Sequence, residues 1–266
     1  MNEFNALVLA GRRSAADPLA AAHGKTHRAL LDVMGIPMLV RVVRAIRASR
    51  GIDRIAVSID DRAALDSVPE LRELAERREI TYHASLDSPS RSVRDALNSQ
   101  LLGKKIIVAT ADHALLTPEM VDYFIQHAEQ SDADIAVGTV TEAVIRAAYP
   151  TTTRTYLRFR DGGYSGANLF AFRTERAIRA AEFWMSAEEF RKHPWRLASV
   201  FGPKALLLFA LRRLSFDAAL DRASQAIGCR VRAVPLPFAE AAIDVDHPSD
   251  LALASRALQA RGEQVA

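Results

Sequence analysis

The amino-acid sequence predicts an α/β fold, a three-layer sandwich in which helices cover both faces of a mostly parallel β-sheet. Strand and helix patterns alternate along most of the 266 residues, which is typical of parallel strands joined by crossover helices. Two apolar runs, residues 106–112 and 242–246, end in aspartates where polar loops begin. Residues from about 174 to 227 are helical in pattern and break the alternation, so we expect a helical insertion within a single domain covering residues 1–266.

The individual elements are predicted from apolar runs, turn residues and capping signals. Strands are expected where a short apolar run meets a turn or polar loop, at residues 6–10, 54–59, 80–84, 106–112, 134–139, 230–234 and 242–246. Residues 11–27 are predicted to form a long polar loop, and residues 151–173 a hairpin region broken at 161–163. Helices are expected where apolar residues recur at helical spacing or capping residues stand, at residues 37–49, 90–101 and 248–260 and after Thr117-Pro118-Glu119.

The composition narrows the class of protein. A formal net charge of +3 without a basic stripe does not favour nucleic-acid binding. Cys229 is the only cysteine, which excludes an internal disulfide and fits a reducing cytoplasm; we expect a small buried residue there rather than a nucleophile. Residues 205–211 are too short to span a bilayer. A core helix is expected there, with contact to a membrane surface or a partner subunit as the alternatives, in a cytoplasmic protein without a transmembrane segment.

Carboxylates at two predicted strand ends indicate a metal site. In open α/β sheets ligands bind outside the carboxyl ends of the strands, so Asp112 and Asp244 are expected to meet there. Carboxylate oxygens suit Mg²⁺, which is commonly bound together with substrate phosphates. Asp246 is expected either as a third ligand or as a group that orients the others. His113, His127 and His247 lack zinc spacing and are predicted not to be ligands. A nucleotide-handling enzyme is therefore the leading hypothesis.

The first strand is followed by a loop suited to phosphate binding. Gly11 lets the backbone approach a ligand closely, and successive N–H groups in such a turn attract anions. Arg12, Arg13, Lys25 and Arg28 can supply positive charge against a triphosphate. A plain surface loop is the alternative interpretation, because a strand followed by glycine and arginines is common.

Five motifs in order, spanning residues 6–255, resemble the nucleotidyltransferases related to MobA. The first is Leu9-Ala10-Gly11 with the following stretches 27–31 and 35–39, similar to K-x-L-L…G-x-P-M-L. The others are similar to S-V-x-x-G-L, x-D-x-P-L-L-T, G-x-N and D-I-D-T-P-E-D-L, at residues 90–97, 111–117, 166–168 and 244–251 respectively. The resemblance implies a GT-A-like, Rossmann-like fold and a MobA-like NTP transferase.

Site residues follow from this resemblance. The residues that it implies at the nucleotide are Leu9, Ala10, Gly11, Arg12, Arg13, Ser90, Ser92 and Asp112. It implies that Asn168 lies near the acceptor. Apart from the resemblance, the basic and aromatic cluster of the helical segment leads us to expect that Arg191, Lys192 and Lys204 bind an acceptor phosphate or sugar, with a solvated helix end as an equally weighted alternative.

The sequence departs from the family pattern at two positions of the phosphate site. Arg12 stands where a second glycine is usual, and Arg28 stands where the catalytic lysine is usual. A planar guanidinium fork is not equivalent to a compact ammonium at a transferring phosphate. Arg28 is predicted to be catalytic in this position, and Lys25 is the alternative candidate.

These observations predict a Mg²⁺-dependent nucleotidyltransferase that moves NMP from CTP or GTP to a phosphorylated small-molecule acceptor and releases pyrophosphate. The pair Ser92-Val93 favours CTP, because it looks more like the cytidylyltransferase branch. Two alternatives stay open. A GT-A glycosyltransferase would use Asp244-Val245-Asp246 as a D-x-D metal motif, and a non-catalytic nucleotide-binding regulator would explain Arg12 and Arg28. A homodimer also stays open, because relatives often dimerise.

Overall fold

A mixed but mostly parallel β-sheet forms the centre of the computed structural model, which describes residues 4–12, 17–99, 102–103, 105–190 and 201–263, without the side chains of 189 and 190. Its main strands are β1 Phe4–Leu9, β4 Ile52–Ile59, β5 Ile80–Ala84, β6 Ile106–Thr110, β7 Ile135–Thr141, β9 Gly162–Phe172 and β10 Val231–Pro235. They lie in the order β10-β7-β9-β6-β1-β4-β5. Among these seven strands only β9 runs antiparallel to its neighbours, β6 and β7. The predicted α/β fold class is confirmed.

Three short strands complete the description. Strand β8, Leu157–Phe159, pairs with β9 across the turn at residues 160–161, which confirms the predicted hairpin region. Strands β2, Asp32–Val33, and β3, Ile36–Pro37, form a separate two-stranded ribbon.

Helices cover both faces of the sheet. They are α1 Pro18–Ala22, α2 Met38–Ala48, α3 Arg62–Asp66, α4 Pro69–Glu76, α5 Pro89–Asn98, α6 Pro118–Gln130, α7 Glu142–Ala148, α8 Ile178–Phe190, α9 Pro203–Ala210, α10 Phe216–Ile227 and α11 Pro248–Ala260. Thr117 caps α6 as predicted, since its side chain accepts a hydrogen bond from the Met120 N–H at 3.3 Å. The helix expected at 248–260 is present with the same bounds.

Alternation of side chains along the strands divides the interior into two main cores. In β1, Val8 belongs to the first core, under α2, α4 and α6, and Leu7 to the second core, under α5 and α8. Burying each such aliphatic side chain contributes about 1.5–3 kcal/mol. Ala177 and Ala181 bring the start of residues 174–227 onto the second core, and the described part of that segment contains α8, α9 and α10. That residues 174–227 are an insertion into a single domain stays a prediction.

Two predicted elements are wrong. Residues 242–246 do not join the sheet, because Ala239–Ala242 is a 3₁₀ helix and the following residues are extended without a strand partner. Their apolar pattern has another cause: Ile243 and Val245 are fully buried in a third core against α11. The loop 11–27 contains α1, whose N-cap Asp17 accepts hydrogen bonds from the Leu19 and Ala20 N–H groups at 3.0 Å each.

In the described part of the chain, no helix has both the length and the hydropathy that are required to cross a membrane.

Candidate functional site

Four neighbouring strands bring a glycine and three polar residues to one edge of the sheet. Strand β1 lies between β4 and β6, β4 also pairs with β5, and all three pairings are parallel. Their carboxyl ends therefore meet at one edge. The residues that follow these strands there are Gly11, Asp60, Ser85 and Asp112.

The loop after β1 is built for close approach at Gly11. The Ala10 N–H donates to the Ser58 carbonyl at 2.8 Å, and the Leu9 carbonyl accepts from the Ala111 N–H at 2.9 Å. The two residues before Gly11 are therefore fixed by backbone hydrogen bonds. A Cβ atom on Gly11 would lie 2.6 Å from the Ser85 Oγ. The chain therefore needs glycine here for a steric reason that the sequence did not reveal.

Arg12 is held by a carboxylate that sequence reasoning missed. Its backbone N–H and its Nε donate to the two Asp60 carboxyl oxygens at 3.1 and 2.6 Å, and the His27 Nε2 lies 3.1 Å from the same group. Burial acts to raise the pKa of Asp60, but the hydrogen bonds from Arg12 and the nearby His27 outweigh burial and lower it. Asp60 follows an apolar strand as Asp112 does, so the same strand-end signal could have found it.

Arg28 lies among three carboxylates. Its Nε and Nη2 donate to the Asp17 Oδ2 at 2.8 and 2.7 Å, and its Nη1 donates to the Asp246 Oδ1. Burial acts to lower the pKa of the guanidinium, whereas Asp17, Asp246 and Asp112 raise it, and the net pKa is raised. The predicted catalytic position is therefore occupied by a cation that is fixed at both ends of its fork.

Asp244 lies beside a second arginine, Arg154, which sequence reasoning also missed. The Arg154 Nη1 donates to the Asp244 Oδ1 at 3.0 Å, and its Nη2 donates to the Asp250 Oδ1 at 2.9 Å. Burial and the charge of Asp246 raise the pKa of Asp244, against the opposing effect of Arg154. Asp250 also accepts hydrogen bonds from the Asp246 and His247 N–H groups and is the acidic residue in the first turn of α11.

Asn168 has a strained backbone and lies beside Asp244. Its φ is 51°, in the left-handed region, although it lies inside strand β9. Asparagine tolerates this conformation better than most residues, and such strain is found preferentially at functional sites. The Asn168 Nδ2 donates to the Asp244 Oδ2 at 3.4 Å, so the predicted acceptor residue lies next to the predicted metal residue.

The carboxylates suit a hard cation in their chemistry. The Val245 N–H donates to the Asp112 carbonyl at 3.1 Å, which brings the two acidic segments side by side. Burial is the main cause that raises the pKa of Asp244, and the charge of Asp246 adds to it; a nearby cation would oppose this shift. Among the described residues, however, no three histidine, cysteine or acidic side chains converge closely enough to hold a metal ion. Arg28 contacts Asp246 and Arg154 contacts Asp244, so a metal ion would compete with these arginines for the carboxylates.

The two serines predicted at the nucleotide stabilise their own loop. Ser90 is fully buried, with its Oγ 3.0 Å from the Ser88 Oγ. The Ser92 Oγ accepts from the Leu86 N–H at 2.8 Å and donates to the Ser88 carbonyl at 3.1 Å. Both hydroxyls thus stabilise the turn into α5, and the exposed surface of this turn comes from Leu86, Asp87, Pro89 and Arg91.

The other candidates are dispersed. The Lys25 Nζ forms an ion pair with Asp32 at 2.9 Å, in the β2 strand, whereas Arg28 contacts the acidic cluster. Lys204 is exposed in the first turn of α9. Arg13, Arg191 and Lys192 lie outside the described residues. Cys229 is buried as expected, and burial raises the pKa of its thiol to about 11.

His113 directly follows Asp112 and is 1% exposed. Burial lowers its pKa to about 4, although the nearby Glu240 backbone carbonyl opposes this effect. No hydrogen bond of good geometry reaches either ring nitrogen from the described residues. The imidazole is therefore neutral at neutral pH.

Comparisons with known proteins identify the family. The model of the MobA-like NTP transferase domain matches residues 6–227, a segment that contains Gly11, Arg28 and Asp112. A hypothetical transferase from Thermus thermophilus superposes with a TM-score of 0.77 at 27% identity, over 94% of this chain and 99% of that one. No curated protein matches the sequence at a significant level.

Two further structures share the fold alone. One is CMP:2-keto-3-deoxy-manno-octonic acid synthetase complexed with CTP, with a TM-score of 0.59 and 14% identity over 98% of this chain and 100% of that one. The other is 4-diphosphocytidyl-2C-methyl-D-erythritol synthase from Anaerococcus prevotii, with a TM-score of 0.60 and 12% identity over 97% of each chain. With the family model covering most of its length, the chain belongs to the MobA-like NTP transferase family of nucleotidyltransferases.

Proposed function

We propose that this protein transfers NMP from CTP or GTP to a phosphorylated small-molecule acceptor, with release of pyrophosphate and with Mg²⁺ as its cofactor. One observation carries the proposal: the Arg28 guanidinium is fixed among Asp17, Asp112 and Asp246 at the carboxyl edge of the sheet. A fixed cation in this position suits a reaction in which negative charge accumulates on phosphate oxygens.

Arg28 would act on the transferring phosphate. In the reaction an acceptor phosphate oxygen attacks the α-phosphorus of the NTP, a new P–O bond forms, and the bond to pyrophosphate breaks. Both reactants are anions, so their approach requires positive charge at the meeting point. Arg28 can donate hydrogen bonds to the α-phosphate while Asp17 keeps its fork in place.

Asp112 and Asp244 would hold the metal ion, and Asp246 would be a third ligand or an orienting group. When bound, Mg²⁺ supplies further positive charge to the phosphates. The arginines on Asp244 and Asp246 keep these acids neutralised when no nucleotide is bound. Arg154 also holds Asp244 in position through its second bond to Asp250.

The nucleotide would lie along the loop after β1. Gly11 lets Ser85 lie directly against the backbone of this loop, and Asp60 holds Arg12 beside it. Arg13, Ser90 and Ser92 stay predicted nucleotide residues, and Lys25 stays the alternative catalytic cation.

CTP is the favoured donor, because Ser92-Val93 resembles the cytidylyltransferase branch. In support, one of the structures of similar fold is a synthetase complexed with CTP. The acceptor is a sugar phosphate, a polyol phosphate or a molybdopterin-type compound. It would bind beside Asn168, with Arg191, Lys192 and Lys204 as further predicted contacts.

A second candidate is a nucleotide-binding regulator without catalysis. It is favoured by the ion pairs of Arg28 and Arg154 with the predicted metal-binding acids, which a catalytic metal would have to disrupt.

Pyrophosphate release tests the proposal. The assay offers CTP, GTP, ATP or UTP with Mg²⁺ and a panel of phosphorylated sugars, polyols and pterins, and records pyrophosphate. Turnover with one nucleotide and one acceptor supports the proposal. Nucleotide binding without pyrophosphate release for any acceptor favours the regulator. In a parallel assay with nucleotide sugars, release of a nucleoside diphosphate would favour a glycosyltransferase.

A further inference from the structure

Exposed apolar side chains are concentrated in one region of the molecule. Within the described residues five large hydrophobic side chains are exposed, and four of them lie on β8 or on α9 and its end: Leu157, Leu207, Phe209 and Leu211. Leu207 and Leu211 are 60% and 57% exposed. The fifth, Leu86, follows β5 elsewhere on the surface. An exposed apolar cluster of this kind indicates an interaction surface.

Strand β8 and helix α9 form this surface together. The Phe159 ring lies 5.3 Å from the Phe209 ring, and the Arg160 N–H donates to the Leu214 carbonyl at 2.9 Å. Ala205 is buried and Phe209 faces the hairpin, so the inner side of α9 is defined. Leu207 and Leu211 are one turn apart on the opposite side of the helix and face outward. We call this outward side of α9, with Leu157, the α9 face.

Basic side chains border the α9 face and have no acidic partners. These are Lys204 in its first turn, Arg212 and Arg213 after its end, and Arg160 after β8. All four are exposed, and none forms an ion pair with a described residue. Exposed arginines elsewhere are often paired, as Arg44 is with Glu70. The acids here are Asp161, which accepts a hydrogen bond from the Phe216 N–H, and Asp217 in the first turn of α10.

We propose that the α9 face docks onto an anionic lipid bilayer. Apolar side chains surrounded by unpaired bases match an anionic headgroup layer above hydrocarbon. A second copy of this chain fits less well, because a two-fold contact would press two α9 faces together that both carry unpaired positive charge at their borders. The contact is peripheral, since α9 has only eight residues. The proposal does not depend on the nucleotidyltransferase reaction.

Vesicle sedimentation tests the docking. The full-length protein is incubated with phosphatidylcholine vesicles containing 30% phosphatidylglycerol and with pure phosphatidylcholine vesicles. We expect binding to the anionic vesicles, and its loss when salt is raised so that the screening length falls from about 10 Å to about 3 Å. The variant Arg212→Asn/Arg213→Gln should bind about 25-fold more weakly, about fivefold for each base near the surface. The variant Leu207→Ser/Leu211→Ser should bind about tenfold more weakly, because its apolar side chains no longer insert into the bilayer.

Matched controls separate docking from misfolding. Leu86→Ser removes an exposed leucine elsewhere, and Arg50→Gln/Arg256→Gln removes two exposed bases without ion pairs in the described chain. Both controls should bind as the wild type does. Absence of binding, or equal binding to neutral vesicles, overturns the proposal. A third result would also overturn it: the protein does not bind vesicles, and the leucine variant differs from the wild type in sedimentation coefficient. The α9 face would then join two subunits.

Discussion

Replacing Arg28 by lysine should reduce catalysis strongly, although it keeps the charge. Arg28 contacts two acids at once: Nε and Nη2 bind Asp17, and Nη1 binds Asp246. A lysine ammonium is a single point on a flexible stem and cannot hold both contacts in the same geometry. The substitution therefore removes at least one charge-assisted hydrogen bond, which is worth about 1.5–3 kcal/mol.

This loss converts directly into a rate. If the same bonds fix Arg28 against the α-phosphate, kcat/KM should fall about 10- to 150-fold, since each 1.36 kcal/mol is tenfold. The assay is pyrophosphate release with saturating acceptor and varied CTP. Arg44→Lys is the matched control, because Arg44 binds Glu70 through two nitrogens at 2.7 and 2.6 Å on the surface. Arg44→Lys should change kcat/KM less than about twofold. Wild-type kcat/KM in folded Arg28→Lys would refute the reasoning.

Three further predictions concern packing and charge near the site. Gly11→Ala should lower the free energy of unfolding by about 1–3 kcal/mol in urea titration, because its Cβ meets the Ser85 Oγ. The added change Ser85→Gly should restore most of this loss. If it restores none, the steric cause is contradicted. His113 has a pKa of about 4 when folded and 6.5 when exposed, so below pH 6.5 only the unfolded state gains its proton. Stability should therefore decline by about 3 kcal/mol from pH 6.5 to 4, and His113→Phe should flatten this decline in denaturation curves, whereas an unchanged slope would contradict the assignment. Arg154→Met should destabilise the protein by about 2–3 kcal/mol, below the 3–5 kcal/mol of a fully buried pair, because Asp244 is 29% exposed. Added Mg²⁺ should then raise the melting temperature of this variant more than that of the wild type; an equal shift would argue against a metal ion near Asp244.

The sequence predicted the parts of the fold that local signals specify. Thr117-Pro118 marks the start of a helix through capping chemistry, and the strand ending before Asp112 is marked by an apolar run followed by an acid. Such signals need only neighbouring residues. The mostly parallel α/β class also followed from the alternation of strand and helix patterns, but the strand order did not.

The sequence could not predict the contacts that complete the site. Arg154 lies in the loop after α7, and its partner Asp244 is 90 residues further along the chain, so only the folded structure reveals the pair. Residues 242–246 have the apolar pattern of a strand, but Ile243 and Val245 satisfy it by packing under α11. Asp17 is different, because the cap signal Asp17-Pro18 was present and was not recognised.

The most direct test is calorimetric binding of CTP and GTP with and without Mg²⁺, on the wild type and on Asp112→Ala, with Asp53→Ala as an exposed acidic control. A nucleotide site formed by the loop after β1 and the acids at the sheet edge predicts binding that strengthens with Mg²⁺. It also predicts that Asp112→Ala weakens this binding about tenfold or more, the loss of one charge-assisted contact, while Asp53→Ala leaves it unchanged. Absence of binding of either nucleotide, or equal affinity in wild type and Asp112→Ala, would contradict the account.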